Sequence, residues 1–141
     1  MTEPDTELER RIAECLAKRP EVLLGYLFGS HAAGRAHRES DVDVAVLLDR
    51  AHCGTERERF DLRVELSADL VAALHCNEVD LVVLNDAPPL FARRIVYEGK
   101  LLHCVDPAAE HAFRRDVQLR AADLAPFLER ARKARLAALR R

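Results

Sequence analysis

No apolar run in these 141 residues approaches the roughly 20 needed to span a bilayer, so a transmembrane helix is excluded. The charged, acidic N-terminus carries no signal-peptide pattern, and the expected compartment is the cytoplasm. Cysteine pairs are also missing. Cys15, Cys53, Cys76 and Cys104 are widely spaced with no CxxC, which reads as reduced, structural thiols rather than a disulfide framework. The six histidines show no metal-type spacing, so a zinc site is not expected. Nor is there a charge excess: 22 basic against 24 acidic residues leave a net charge of −2, which excludes a generic nucleic-acid binder. Repeats, low-complexity linkers and a second apolar core are absent as well.

What remains fits one globular domain over residues 1–141, with 49% hydrophobic and 33% charged residues. Its core is expected over about 20–105, followed by a C-terminal helical segment over about 107–141. Thr6 and Glu9 make a capping box ahead of Leu8, Ile12, Cys15 and Leu16, and Pro20 stops that helix. Residues 21–28 read as a buried strand and 42–48 as a second. Thr55 and Glu58 form another capping box, opening a helix to about His75 with Phe60, Val64, Val71 and Leu74 along its inward face. A third strand is expected over 78–84. Asp86 then marks a helix N-terminus before Pro88 and Pro89, and Gly99 ends that helix. Residues 100–104 form a short edge strand, and the remainder is helical with a bend or break at Pro126.

The informative stretch is Leu27-Phe28-Gly29-Ser30 followed by Asp41-Val42-Asp43. Side chains alternate along a strand, so Asp41 and Asp43 share one side, roughly 7 Å apart, while Val42, Val44, Val46 and Leu48 enter a core. Two like charges on a half-buried face repel each other and are costly to desolvate. A divalent cation offsets both effects, and Mg²⁺ is usually held by one or two carboxylates plus substrate phosphates. Asp80 adds a third carboxylate from another apolar strand, with Val79 and Leu81 facing away. The Gly29-Ser30 turn presents backbone N–H groups to phosphate. Three carboxylates and a phosphate turn are the parts of a two-metal nucleotidyl-transfer site. Asp41, Asp43 and Asp80 would hold the metals, Asp80 would face the nucleophile, and Gly29 and Ser30 would hold the leaving phosphates.

At Gly29, Ser30, Asp41, Asp43 and Asp80 the chain resembles the polymerase-β-type nucleotidyltransferase superfamily, and its short length resembles the minimal nucleotidyltransferase branch. The stretch from Asn85 to Leu102 is similar to the antitoxin members that pair with HEPN-domain RNase toxins. The resemblance implies an α+β fold, a small mixed sheet flanked by helices. It also implies transfer of AMP from ATP, with two Mg²⁺ ions, to a tyrosine hydroxyl of a cognate HEPN toxin in a hetero-oligomer. No membrane and no direct nucleic-acid contact are implied. The chain departs from the family at His31 and Ala33, where relatives often carry arginine, and Arg35 and Arg38 are the nearby cations. Its C-terminal helix also lacks the tyrosines common in relatives.

Two other readings stand beside this one. A binding-only antitoxin would mask the toxin through its helices, although it gains nothing from clustered carboxylates. A small-molecule nucleotidyltransferase, for an aminoglycoside for instance, usually needs extra structure to hold its acceptor. The C-terminal stretch is rich in basic residues, from Arg114 and Arg115 to Arg140 and Arg141. It reads either as a solvated face or as a docking surface for an acidic partner.

Overall fold

The computed structural model describes residues 6–29, 42–76 and 78–140. Helix α1 (Glu7–Ala17) is closed at its start by the expected capping box: Thr6 Oγ1 accepts the Glu9 N–H, and the Glu9 carboxylate accepts the Thr6 N–H. Strands β1 (Val22–Phe28) and β2 (Val42–Leu48) follow, then α2 (Glu56–Leu74) and β3 (Val79–Val83). After a 3₁₀ turn (Leu84–Asp86) come α3 (Pro89–Glu98), β4 (Lys100–Cys104) and α4 (Pro107–Leu139).

The four strands form one mixed sheet in the order β3-β2-β1-β4. β1 is antiparallel to both β2 and β4, whereas β2 and β3 are parallel and are joined through α2, as a parallel pair requires. Alternation along β2 separates its two faces. Val42, Val44, Val46 and Leu48 are buried together with Ile12, Leu16, Leu66 and Leu70 of α1 and α2. On the opposite face Leu24, Tyr26 and Ala45 pack with Ala92, Ile95 and Val96 of α3 and with Phe113 and Val117 of α4. Gly25 lets α1 settle onto the sheet, since a Cβ there would strike the Leu16 side chain. Asn85 ties the turn after β3 to the end of β2: its amide donates to the Leu48 carbonyl and accepts the Leu48 N–H, both at 2.9 Å.

Three expectations need correction. On α2 the buried residues are Arg59, Leu62, Leu66 and Leu70, while Phe60 and Val64 are more than half exposed; Val71 and Leu74 only border the core. Arg59 decides this orientation. Its guanidinium must turn inward to reach Asp86, at 2.9 and 2.8 Å, and the Cys53 carbonyl at 3.0 Å, and the 59-62-66-70 stripe turns with it. Asp86 is therefore not a helix cap. It closes the 3₁₀ turn and neutralises Arg59, and the N-cap of α3 is Pro88, which makes no side-chain cap bond. Finally, the break that Pro126 could have caused is absent: α4 runs as one helix of 33 residues with Pro126 inside it. Proline removes one backbone donor, and the carbonyl left without it belongs to the exposed Ala122, where water can satisfy it.

Candidate active site

The sequence places a carboxylate on β2 and another on β3, and the sheet brings them side by side. Asp43 and Asp80 are register partners across the parallel β2–β3 pair. Adjacent strands lie about 4.8 Å apart, and paired residues project to the same face, so the two carboxylates are neighbours on the face opposite the α1–α2 core. Asp43 is half-buried and Asp80 exposed. The alternation that exposes them also buries Val42, Val44, Val79 and Leu81.

Across the other edge of β2, Asp43 pairs with Phe28, the last residue of β1. Gly29 follows with φ +75°, a left-handed conformation that favours glycine. A Cβ at Gly29 would collide with the Asp43 carboxylate. The turn backbone thus lies directly against that carboxylate, and only glycine permits the approach. Ser30 and Asp41 lie outside the described residues, as do His31, Ala33, Arg35 and Arg38. Among the described residues no group of three or more His, Cys, Asp or Glu side chains gathers as a metal cluster.

The fit of a divalent cation can be judged on the donors present. Asp43 and Asp80 offer only hard carboxylate oxygens, adjacent on one face and reachable from solvent. This is the donor set that Mg²⁺ takes when most of its remaining ligands come from water and substrate phosphates.

Sequence reasoning did not anticipate the aromatic groove that begins near this pair; neither Asp43 nor Asp80 lines it. Phe91 of α3 packs edge-to-face on Phe28, with ring centroids 6.0 Å apart, next to the strand position of Asp43. From Phe91 a groove of about 500 Å³ runs along β3, lined also by Phe60, Arg63, Val82 and Pro88. Arg63 donates from Nε to the Leu81 carbonyl at 2.9 Å, so its charge is fixed beside that strand. Val82 lies on the same face as Asp80, two residues further along β3. No local pattern marks Phe91 or Phe60 as a wall; their roles depend on how α2 and α3 sit against β3.

The family model for "Polymerase beta, Nucleotidyltransferase" matches residues 10–108, which include every strand of the sheet. The chain belongs to this nucleotidyltransferase family. It is 39% identical over 85 residues to the protein adenylyltransferase MntA of Shewanella oneidensis; the match covers 59% of this chain and 55% of that relative's length. Among solved structures it is similar to a chain of a toxin–antitoxin crystal structure with AMP-PNP, at 30% identity and a TM-score of 0.68, covering 94% of this chain and 98% of that one. It is also similar to a chain in the structure of tri-AMPylated Shewanella oneidensis HEPN toxin in complex with MNT antitoxin. There the identity is 27% and the TM-score 0.62, covering 95% of this chain and 97% of that one. The family's mixed sheet flanked by helices, expected from the sequence, is the fold observed. No helix among the described residues is long and apolar enough to cross a membrane.

Proposed function

We propose that this chain is an antitoxin that transfers AMP from ATP to a tyrosine hydroxyl of a cognate HEPN-domain toxin and thereby silences it. The observation that carries this reading is the register pairing of Asp43 with Asp80, with the Gly29 turn pressed against the Asp43 carboxylate. Its likeness to MntA adenylyltransferase and to chains of solved toxin–antitoxin complexes, one with an ATP analogue and one with an AMPylated toxin, supports the nucleotide and the acceptor.

In this account Asp41, Asp43 and Asp80 hold Mg²⁺, which when bound offsets the triphosphate charge and favours attack at the α-phosphorus. The turn at Gly29 and Ser30 presents N–H groups to the β- and γ-phosphates, so that charge building on the leaving pyrophosphate meets fixed donors. Asp80 lies on the exposed side, where a hydroxyl can arrive, and accepts its proton as the oxygen bonds to phosphorus. The bond from the α-phosphorus to the bridging oxygen breaks, and pyrophosphate departs. The groove between Phe60 and Phe91 offers the acceptor's ring and flanking residues an apolar approach along β3. The acceptor is a protein, the reaction runs in the cytoplasm, and the acting species is the complex with the toxin.

The test is incubation of the full chain with its cognate toxin, Mg²⁺ and ATP radiolabelled at either the α- or the γ-phosphate. Label on the toxin from α-labelled ATP alone supports adenylyl transfer. Label from γ-labelled ATP would make the chain a kinase, and label on neither would remove the catalytic reading.

A further inference from the structure

The last part of α4 leaves the body of the protein. Phe113, Val117 and Ala121 are buried against the sheet and α3, but every described residue from 125 onward is exposed. About fifteen helical residues, or roughly 22 Å, therefore extend without a tertiary contact that buries them. An isolated helix of this length is marginal in water, and its stability normally comes from packing an apolar face.

Such a face is present. At 100° per residue, Leu124, Phe127, Leu128, Ala131, Ala138 and Leu139 fall within an arc of about 120°. This arc continues the stripe that Phe113, Val117 and Ala121 bury further up the same helix. Phe127 is 62% exposed and Leu139 76%. Arg132 borders the stripe and Arg130 lies beyond its other edge, while Lys133, Arg140 and Glu129, the sole acid from 124 to 140, lie toward the opposite face. One cation, Arg135, falls inside the stripe itself.

We infer that this arm is the docking surface for the toxin, and that it receives an amphipathic helical surface with an apolar stripe, acidic flanks and a carboxylate opposite Arg135. The inference rests on the toxin partnership proposed above. Charge argues against a second copy of this chain as the occupant, because two arms packed together would set their basic flanks against each other. Burying Arg135 without a counter-charge would be costly, so the covering surface must supply an acid there. The match to the toxin–antitoxin chain covers 94% of this chain, too much for the arm to be missing from the matched part. Arg130 and Arg132 are then the rim of that apolar contact.

The experiment is calorimetric titration of the full chain with its cognate toxin at low and moderate salt. It compares wild type with Phe127→Ser/Leu128→Ser and with Arg135→Glu. These positions are exposed, so circular dichroism and thermal melts should report an intact body. We expect the double serine variant to bind about 30-fold more weakly or worse, as for loss of central apolar anchors. Arg135→Glu should weaken binding at least as much and flatten the salt dependence. Where AMP transfer is measured, both variants should raise KM for the toxin with kcat little changed. Unchanged affinity in both variants would overturn the inference. So would wild-type self-association that Leu128→Ser abolishes, because the occupant would then be a second copy. Weakened binding by the variants, with no AMP transferred even by wild type, would uphold the docking surface and reject the catalytic reading instead.

Discussion

Asp43 and Asp80 are directly paired across two parallel strands, with both carboxylates on one face of the sheet. Like charges placed opposite one another in a sheet destabilise it by about 0.2–1 kcal/mol unless a cation lies between them. Bound metal should therefore stabilise the protein through this pair. Asp80→Asn is expected to remove the rise in Tm that Mg²⁺ with ATP produces in wild type. Differential scanning calorimetry checks it. A variant that still gains stability from Mg²⁺ with ATP, as wild type does, would show that the pair holds no metal.

The left-handed turn next to this pair gives a second expectation. Gly29→Ala introduces a Cβ at φ +75° and drives it into the Asp43 carboxylate. The backbone cost alone is about 1–2 kcal/mol. Because the clash falls on a proposed metal ligand, AMP transfer should drop by much more than stability does, by about 100-fold or more. Side-by-side urea melts and transfer rates measure the two effects separately.

The Arg59–Asp86 pair fixes the face that α2 presents to the core. Arg59 is almost fully buried, and Asp86 is about one-third exposed. Removing one member of a buried pair strands the other charge, at a cost of about 3–5 kcal/mol; partial exposure of Asp86 places Asp86→Ala toward or below the low end. Chemical denaturation should show a loss of about 2–3 kcal/mol, whereas Asp61→Ala on the exposed side of α2 should change little.

The same helix tests the corrected orientation. Leu62→Ala should cost about 2–4 kcal/mol as a buried truncation, and Phe60→Ser should stay within about 0.5 kcal/mol. Were the sequence-based face correct, the two results would be reversed.

Tyr26 is buried, and its hydroxyl has no hydrogen-bond partner among the described residues. Burial raises its pKa well above the ordinary tyrosine value of 10.0, with the Glu110 carboxylate adding to the rise. The folded form therefore keeps the proton at pH values where the unfolded chain releases it. Stability is unaffected below pH 10 and declines as pH rises above it. Tyr26→Phe should be neutral or slightly stabilising at pH 7, since no bond is lost. It should also flatten the alkaline decline, as melts between pH 7 and pH 11 would show.

Much of the architecture is legible in local pattern. The alternation Val42-Asp43-Val44 places both the strand and its polar face, and β2 begins and ends where periodicity puts it. Thr6 with Glu9 specifies the start of α1 for the same local reason. Relations between distant segments are not legible in this way. Two i,i+4 stripes interleave on α2, and the choice between them depends on Asp86, 27 residues beyond Arg59. Asp86 resembles a cap until that partner is known. At the site, the metal-binding role proposed for Asp43 and Asp80 is read from sequence, but their register follows from a parallel pairing that the α2 crossover imposes. The aromatic walls at Phe60 and Phe91 carry no motif because they are surfaces made by packing.

We propose that Asp43 and Asp80 serve the transfer of AMP to the toxin rather than merely accompany a masking surface. The most direct test mixes the full chain with its cognate toxin, Mg²⁺ and ATP, then follows the toxin's intact mass and its RNase activity together. Wild type should add adenylyl groups and silence the RNase in step. Asp43→Asn should bind the toxin, add no mass and leave the RNase active. Silencing by Asp43→Asn with no change in toxin mass would contradict the claim and make the chain a binding antitoxin.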